Sequence, residues 1–348
     1  MRWTRKQSAS ALLPLSLLVA STPVIAQSVA QSVEKPAAKS LSLATAEGLT
    51  PLDTKLEAVE YRGRKALRVT TLPNHGSGFA LLDGVNFADG TIEAEIAVKV
   101  TIPPPTRMPG FTGIGFRLEK EPLHYELFYI RPGNSVGEDQ IYRNHAVQYS
   151  SEPNFGWPLL RRQWPSVYEA YADLEPGAWT KMKIEVHGRR ATLYLNGSTK
   201  PSLIVDGLKG ESLHGAVGLW GYAGEESYFS NLKITPSNPE PIRNDGEITG
   251  AWEMALNTDV GPFNGTAKLT REGTTITGAW SGAFGEDLPI TGTWRDGYVE
   301  FHFVAKAPEG KEPFLVRFAG WVDDDKATGR MQAVGEADGK WSATRVKQ

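Results

Sequence analysis

The chain has 348 residues, 37 Lys and Arg against 40 Asp and Glu, a formal charge of −3 and no cysteine. Without thiols it has no disulfide, thiolate metal site, thiol nucleophile or lipid carried on an N-terminal cysteine, so its stability must come from apolar cores. The acidic balance, with no basic block and no nucleic-acid motif, sets nucleic acid aside as a partner.

Residues 1–26 have the three parts of a secretory signal: a basic start (Arg2, Arg5, Lys6), an apolar run from Ala11 to Ala20, and small residues at Val24 and Ala26 before Gln27. Cleavage there, or after Ala30, exports the protein to the periplasm or the medium. The first cut removes three positive charges and no acidic ones, which lowers the net charge from −3 to −6. The apolar run is too short to span a bilayer, and no other segment approaches the length required. Residues 27–45, rich in Ala, Ser, Gln and Lys, read as a tether.

From about Thr50 short alternating segments begin. Ile92, Ala94, Ile96, Val98 and Val100 fall on one face of 91–100, with Thr91, Glu93, Glu95, Ala97 and Lys99 on the other, the pattern of a half-buried strand. Similar segments at 113–118, 124–131, 180–187, 190–195, 215–220 and 228–234, with turn signals at Asn196-Gly197 and Asp206-Gly207, predict an all-β sandwich over 46–236. Pro236, Pro239 and Pro241 mark a linker over 237–246. Beyond it a loose Gly-x-Trp repeat (Trp252, Trp280, Trp294, Trp341) accompanies eight candidate strands joined by short Gly, Asp or Asn links. Such a meander over 247–348 predicts a small up-and-down β-barrel, which either holds one small ligand or, as the better expectation, is filled by its own side chains.

Phe111 to Tyr171 holds twelve of the 34 aromatic residues and five arginines. Rings stack on sugar C–H faces while guanidinium and carboxylate groups bond hydroxyls, so carbohydrate is the first ligand class to consider. A hairpin folded about Glu121 and Pro122 would set Arg117 opposite Glu126, Phe116 opposite Leu127 and Ile114 opposite Tyr129. In that register Arg117 and Glu126 form a cross-strand ion pair, either an ordinary surface pair or a sugar clamp and the start of an acid/base site. After Arg131-Pro132 a long segment without strand pattern carries His145, Gln148, Tyr149, Trp157, Trp164 and Tyr168. Long irregular connections inside a domain tend to be functional. Candidate catalytic groups are therefore Glu126 and His145, and candidate ligand-binding groups Arg117, Arg131, Gln148, Tyr149, Trp157, Trp164 and Tyr168.

No zinc-protease, nucleophile-elbow or phosphate-loop motif is present, nor the Glu-x-Asp-x-(x)-Glu run of laminarinase-type hydrolases. No cofactor is expected; Asp323-Asp324-Asp325 has calcium-type chemistry but reads as a solvated turn. Asn196-Gly-Ser and Asn264-Gly-Thr match the glycosylation pattern, although turn chemistry accounts for both.

Phe87-x-Asp89-Gly90-Thr91-Ile92-Glu93, Gly113-Ile114-Gly115-Phe116-Arg117, Tyr125-Glu126-x-Phe128-Tyr129-x-Arg131-Pro132, Gln148-Tyr149, Trp179-x-Lys181-x-Lys183-Ile184 and Phe229-x-Asn231-Leu232 together resemble the laminin-G-like, concanavalin-type jelly rolls of secreted bacterial proteins. Among these the chain is similar to the 3-keto-disaccharide hydrolase group over about residues 50–236. That resemblance implies a sugar or glycoside ligand on the concave sheet, polar strand positions at Arg117 and Glu126, and cleavage of a glycosidic bond beside a 3-keto group. The segment 140–171 departs from the group's commoner pattern. The C-terminal part is similar to lipocalin-like or avidin-like barrels in strand rhythm alone, which carries no function. Two readings stay open: a carbohydrate-binding or glycoside-processing protein, of hydrolase or lyase type if an enzyme, and a non-catalytic adhesion or scaffold module with a protein partner in the envelope.

Overall fold

The computed structural model describes residues 37–100, 109–121, 123–239, 247–306 and 312–347. The expected signal peptide, most of the tether and most of the expected linker lie outside the described residues. Strands β1 (Lys39–Leu41), β2 (Leu49–Leu52), β3 (Thr54–Tyr61), β4 (Arg64–Thr71), β5 (Ser77–Leu82), β6 (Asp89–Val100), β7 (Thr112–Lys120) and β8 (Leu123–Ile130) come first. Three short helices follow, interleaved with two strands: α1 (Pro132–Ser135), α2 (Gln140–Arg143), β9 (Val147–Glu152), α3 (Trp157–Gln163) and β10 (Glu169–Ala170). The sandwich ends with β11 (Thr180–His187), β12 (Arg190–Leu195), β13 (Leu203–Asp206), β14 (Ala216–Tyr222) and β15 (Glu225–Ser237).

One sheet runs β13-β12-β11-β6-β15-β4-β3, with β1 also on β15, and the other runs β10-β9-β8-β7-β14-β5-β2. Between them lies a core that includes Ile92, Ile96, Ile114, Phe116, Phe128, Tyr149, Ile184, Leu219 and Phe229. The alternation in 91–100 is what delivers Ile92, Ala94 and Ile96 to that core while Glu93 and Glu95 stay at its outer side. Within the stretch expected as a tether, β1 pairs with β15 and Leu43 is buried. At the far end β15 continues through Pro236 to Ser237.

The C-terminal strands are β16 (Gly250–Thr258), β17 (Gly261–Glu272), β18 (Thr275–Gly282), β19 (Gly285–Arg295), β20 (Tyr298–Ala305), β21 (Phe314–Asp323), β22 (Lys326–Ala333) and β23 (Ala337–Arg345). They close into a barrel, β23 returning to β16. The Gly-x-Trp repeat explains the interior: Trp252, Trp280, Trp294 and Trp341 are all buried, and Phe301, Phe303 and Phe318 pack with them. Each large apolar side chain removed from water contributes about 1.5–3 kcal/mol, which suits a small domain without cross-links. Asp324 and Asp325 form the two-residue turn between β21 and β22, and Asp325 pairs with Arg345 at 3.0 Å.

Candidate functional site

The β7–β8 hairpin corrects the expected register. Phe116 lies opposite Glu126, Gly115 opposite Leu127 and Ile114 opposite Phe128, and the pairing shifts between Phe116 and Glu119. A β-bulge therefore occupies the place where Arg117 was expected to face Glu126, and Arg117 takes a positive φ of 50° there. The extra residue changes which face each side chain reaches. Arg117, 2 % exposed, donates to Asp89 Oδ1 at 2.8 Å and to the carbonyls of Ala88 and Gly188. Glu126, 1 % exposed, sits on the core side; it accepts from the Tyr149 hydroxyl at 2.6 Å and the Gly210 N–H at 2.8 Å. Burial raises the Glu126 carboxyl above the ordinary carboxylate range, against the pull of Tyr149, Gly210 and Arg117. The expected Arg117–Glu126 clamp is therefore two separate internal anchors, and Tyr149 belongs to the core as the partner of Glu126.

The remaining polar candidates gather on the outer face of the β10-to-β2 sheet, because the segment expected to be irregular contributes strands β9 and β10. One register row crosses that sheet as Leu52, Phe79, Trp220, Gly113, Tyr129, Gln148 and Glu169. Gly113 has no room for a side chain, since a Cβ would lie 2.7 Å from Tyr129 Cβ. Tyr129 and Trp220 contact at 5.3 Å between centroids and are 3 % and 5 % exposed.

Arg131, just beyond β8, donates to the Tyr129 hydroxyl at 2.6 Å and to Gln148 Oε1 at 3.1 Å. Its guanidinium lies 4.9 Å from the Tyr129 ring centroid and 5.5 Å from that of Trp157. Helix α3, opened by Trp157-Pro158 and anchored by buried Leu160, leaves Trp157 42 % exposed with Arg161 stacked at 4.6 Å. Arg161 grips Glu169 from Nε to Oε1 at 2.8 Å and from Nη2 to Oε2 at 2.5 Å. His145 Nδ1 lies 2.9 Å from Glu169 Oε2, within ion-pair reach but off the line of a hydrogen bond. Burial lowers the His145 pKa; Glu169 opposes this, while Arg161 and Arg131 reinforce it. A neutral imidazole can accept a proton from a bound molecule, and the Arg131 and Arg161 guanidinium groups beside it can hold the negative charge left behind.

Arg131, Gln148, Trp157 and His145 thus come together. Trp164 and Tyr168 lie elsewhere, at the boundary with the barrel. Sequence reasoning places Glu169 in the site-bearing segment without giving it a role, and misses Arg161. Their signal is the register of β10 on β9, which a two-residue strand does not announce. Among the described residues no group of three or more His, Cys, Asp or Glu is placed to hold a metal ion. No helix among them is long and apolar enough to cross a membrane.

The molecule is thus, by class, a two-sheet jelly roll with a closed eight-stranded barrel appended. Residues 53–235 match the 3-keto-alpha-glucoside-1,2-lyase-like domain, and the chain belongs to that family. No curated protein matches it. Among solved structures it is similar to a carbohydrate-binding module from Bacillus subtilis, with 17 % identity, a TM-score of 0.37, and 54 % of this chain and 95 % of that one covered. A protein of unknown function with a galectin-like fold, also from Bacillus subtilis, gives 12 % identity, a TM-score of 0.40, and 60 % and 99 % coverage. A GlcNAc-alpha-1,4-Gal-releasing endo-beta-galactosidase from Clostridium perfringens gives 9 % identity, a TM-score of 0.35, and 89 % and 96 % coverage.

Proposed function

We propose that this is an exported carbohydrate-active protein that binds a 3-keto-glycoside at the Trp157 end of the outer sheet face and cleaves its glycosidic bond by elimination. The observation that carries this reading is the convergence of His145, Glu169, Arg131 and Gln148 beside the exposed Trp157 ring. Family membership supports the substrate class. The ring stacks on Trp157, the part-exposed Arg161 guanidinium bonds its oxygens, and Arg131 and Gln148, buried and bonded to each other, hold the floor beneath. A ketone at C3 acidifies the C2–H bond. With Nδ1 turned to Glu169, His145 Nε2 is the nitrogen left to take that proton. The electrons form a C1–C2 double bond as the C1–O bond breaks, and the proton passes to the departing oxygen. Glu126 is not the base, because its carboxylate is occupied by Tyr149 and Gly210.

The test is turnover of a 3-keto-disaccharide and of its unoxidised parent by the mature protein and by His145→Gln. We expect turnover of the keto sugar alone, and a loss of about 10²–10⁴-fold in kcat in the variant, typical of a missing general base, with KM little changed. The wild-type rate should be flat through neutral pH and fall only below the ordinary imidazole range, since burial lowers the His145 pKa. A variant as fast as wild type removes His145 from the chemistry. The near-complete covering of Tyr129 and Trp220 favours a second reading, a non-catalytic glycan-binding module using Trp157 alone. Saturable glycan binding without turnover would select it.

A further inference from the structure

A cleft of about 660 Å³ lies between the outer wall of the barrel and the sandwich, separate from the outer sheet face. That volume is ordinary for small-ligand sites, which favour such boundaries. The sandwich contributes Trp164 and Tyr168, with Arg190 and Asp206 paired across β12 and β13 at 3.0 Å. The barrel contributes two neighbouring register rows. One reads Asn264, Ala255, Ser342, Thr328, Trp321 and Tyr298; the next reads Asn257, Lys340, Arg330 and Ala319. Gly320 and Gly329 face each other inside the wall and leave it thin, so that the Trp341 ring also reaches the cleft.

Three features point to a ligand. Tyr298, buried at the boundary, meets Trp321 edge to face at 5.0 Å and fixes the part-exposed indole as a face for a sugar ring. Burial raises the pKa of both Tyr168 and Tyr298, and among the described residues neither hydroxyl has a hydrogen-bond partner. Arg330 and Lys340 stand directly opposite on β22 and β23, an arrangement that weakens a sheet unless an anion sits between the charges. Among the described residues neither has a carboxylate within ion-pair distance, and Asp206 is already neutralised by Arg190.

We propose that this cleft is a second saccharide site, selective for a sugar bearing a carboxylate, with the ring against Trp321 and the acid between Arg330 and Lys340. The site does not depend on the outer-face reading. It takes Trp164 and Tyr168, which the sequence had grouped with His145, into a different role. A ligand held here touches both domains at once, which would tie an acidic glycan to the protein while the outer face stays open.

The experiment is calorimetric titration of the mature full-length protein with trigalacturonate, maltotriose and benzoate at low and high salt. We expect saturable trigalacturonate binding, weakened by salt, with maltotriose and benzoate at least tenfold weaker. Arg330→Gln combined with Lys340→Gln changes two exposed positions, so folding should be intact by melting temperature, and trigalacturonate affinity should fall at least tenfold. Trp321→Ala should weaken binding of the same probe, and His145→Gln should leave it unchanged. Absence of trigalacturonate binding, equal affinity in the double variant, or maltotriose or benzoate bound as tightly would each overturn the proposal. None of these results bears on turnover at His145.

Discussion

Glu126 shows how a polar residue in a strand can be read for the wrong purpose. In the hairpin it is the acid next to aromatic residues; in the fold it closes the core by accepting from Tyr149 and Gly210. Glu126→Gln replaces one acceptor oxygen with a donor that faces a hydroxyl or an N–H, at a cost of about 1–3 kcal/mol in stability. Thermal melting should shift down accordingly, while affinity for an outer-face ligand stays within twofold; the reverse pattern would return Glu126 to the site. Glu225 supplies a pH signature. Burial pushes its carboxyl up to about 8, against the N–H donors of Phe111 and Gly110. Between its ordinary pKa and about 8 the folded state holds a proton that the unfolded chain has released. The contribution of Glu225 to stability is therefore whole below the carboxylate range, declines as pH rises toward 8, and is level above that. Glu225→Gln should remove this slope from a melting-temperature profile between pH 5 and 8, and an unchanged slope would assign it to other groups.

At the level of elements, period-two alternation carried most of the reading. Each of the eight expected barrel strands overlaps one of β16 to β23, because a barrel wall with a packed interior must alternate strictly, and Trp252, Trp280, Trp294 and Trp341 fall on the inner side. The hairpin register was not legible. A bulge at Arg117 adds one residue without any Gly or Pro to mark it, and one residue is enough to move a side chain to the other face. The segment after Arg131 hid β9 for a related reason. Val147-Gln148-Tyr149-Ser150-Ser151 mixes apolar and small polar residues that are all buried, so no wet face exists to set the period. The site cluster was half visible: His145, Gln148, Trp157 and Arg131 stood out by residue type, whereas Glu169 and Arg161 are joined to them only by tertiary pairing.

For the whole molecule, the two cores are distinct clusters, yet Tyr298 and Ala319 of the barrel are buried within the sandwich cluster. Lys209 pairs with Glu300 and Arg189 with Asp296 across the same boundary, and Arg295 donates to the Lys209 carbonyl at 2.9 Å. Tyr298 packs so closely on Gly207 that a Cβ there would meet its ring at 2.0 Å. Lys209 is 4 % exposed, and burial depresses its pKa while Glu300 holds it up. Glu300→Ala leaves that ammonium buried without its partner, a loss of about 3–5 kcal/mol. We therefore expect one calorimetric transition for the wild type and two for this variant, with sandwich and barrel melting apart. A single transition at unchanged temperature would show that the domains are joined by something other than this pair.

Closure of the barrel by β23 on β16 leaves that domain with no exposed row of backbone donors and acceptors. Among the described residues the borders of the two sandwich sheets are poorly suited to receiving another strand. Strand β10 is two residues long, β2 contains Pro51, β3 carries Lys55, Glu57 and Glu60, and β13 is four residues long with Ile204 and Asp206 turned toward the barrel cleft. A protein made largely of strands thereby offers its neighbours almost no template on which to stack.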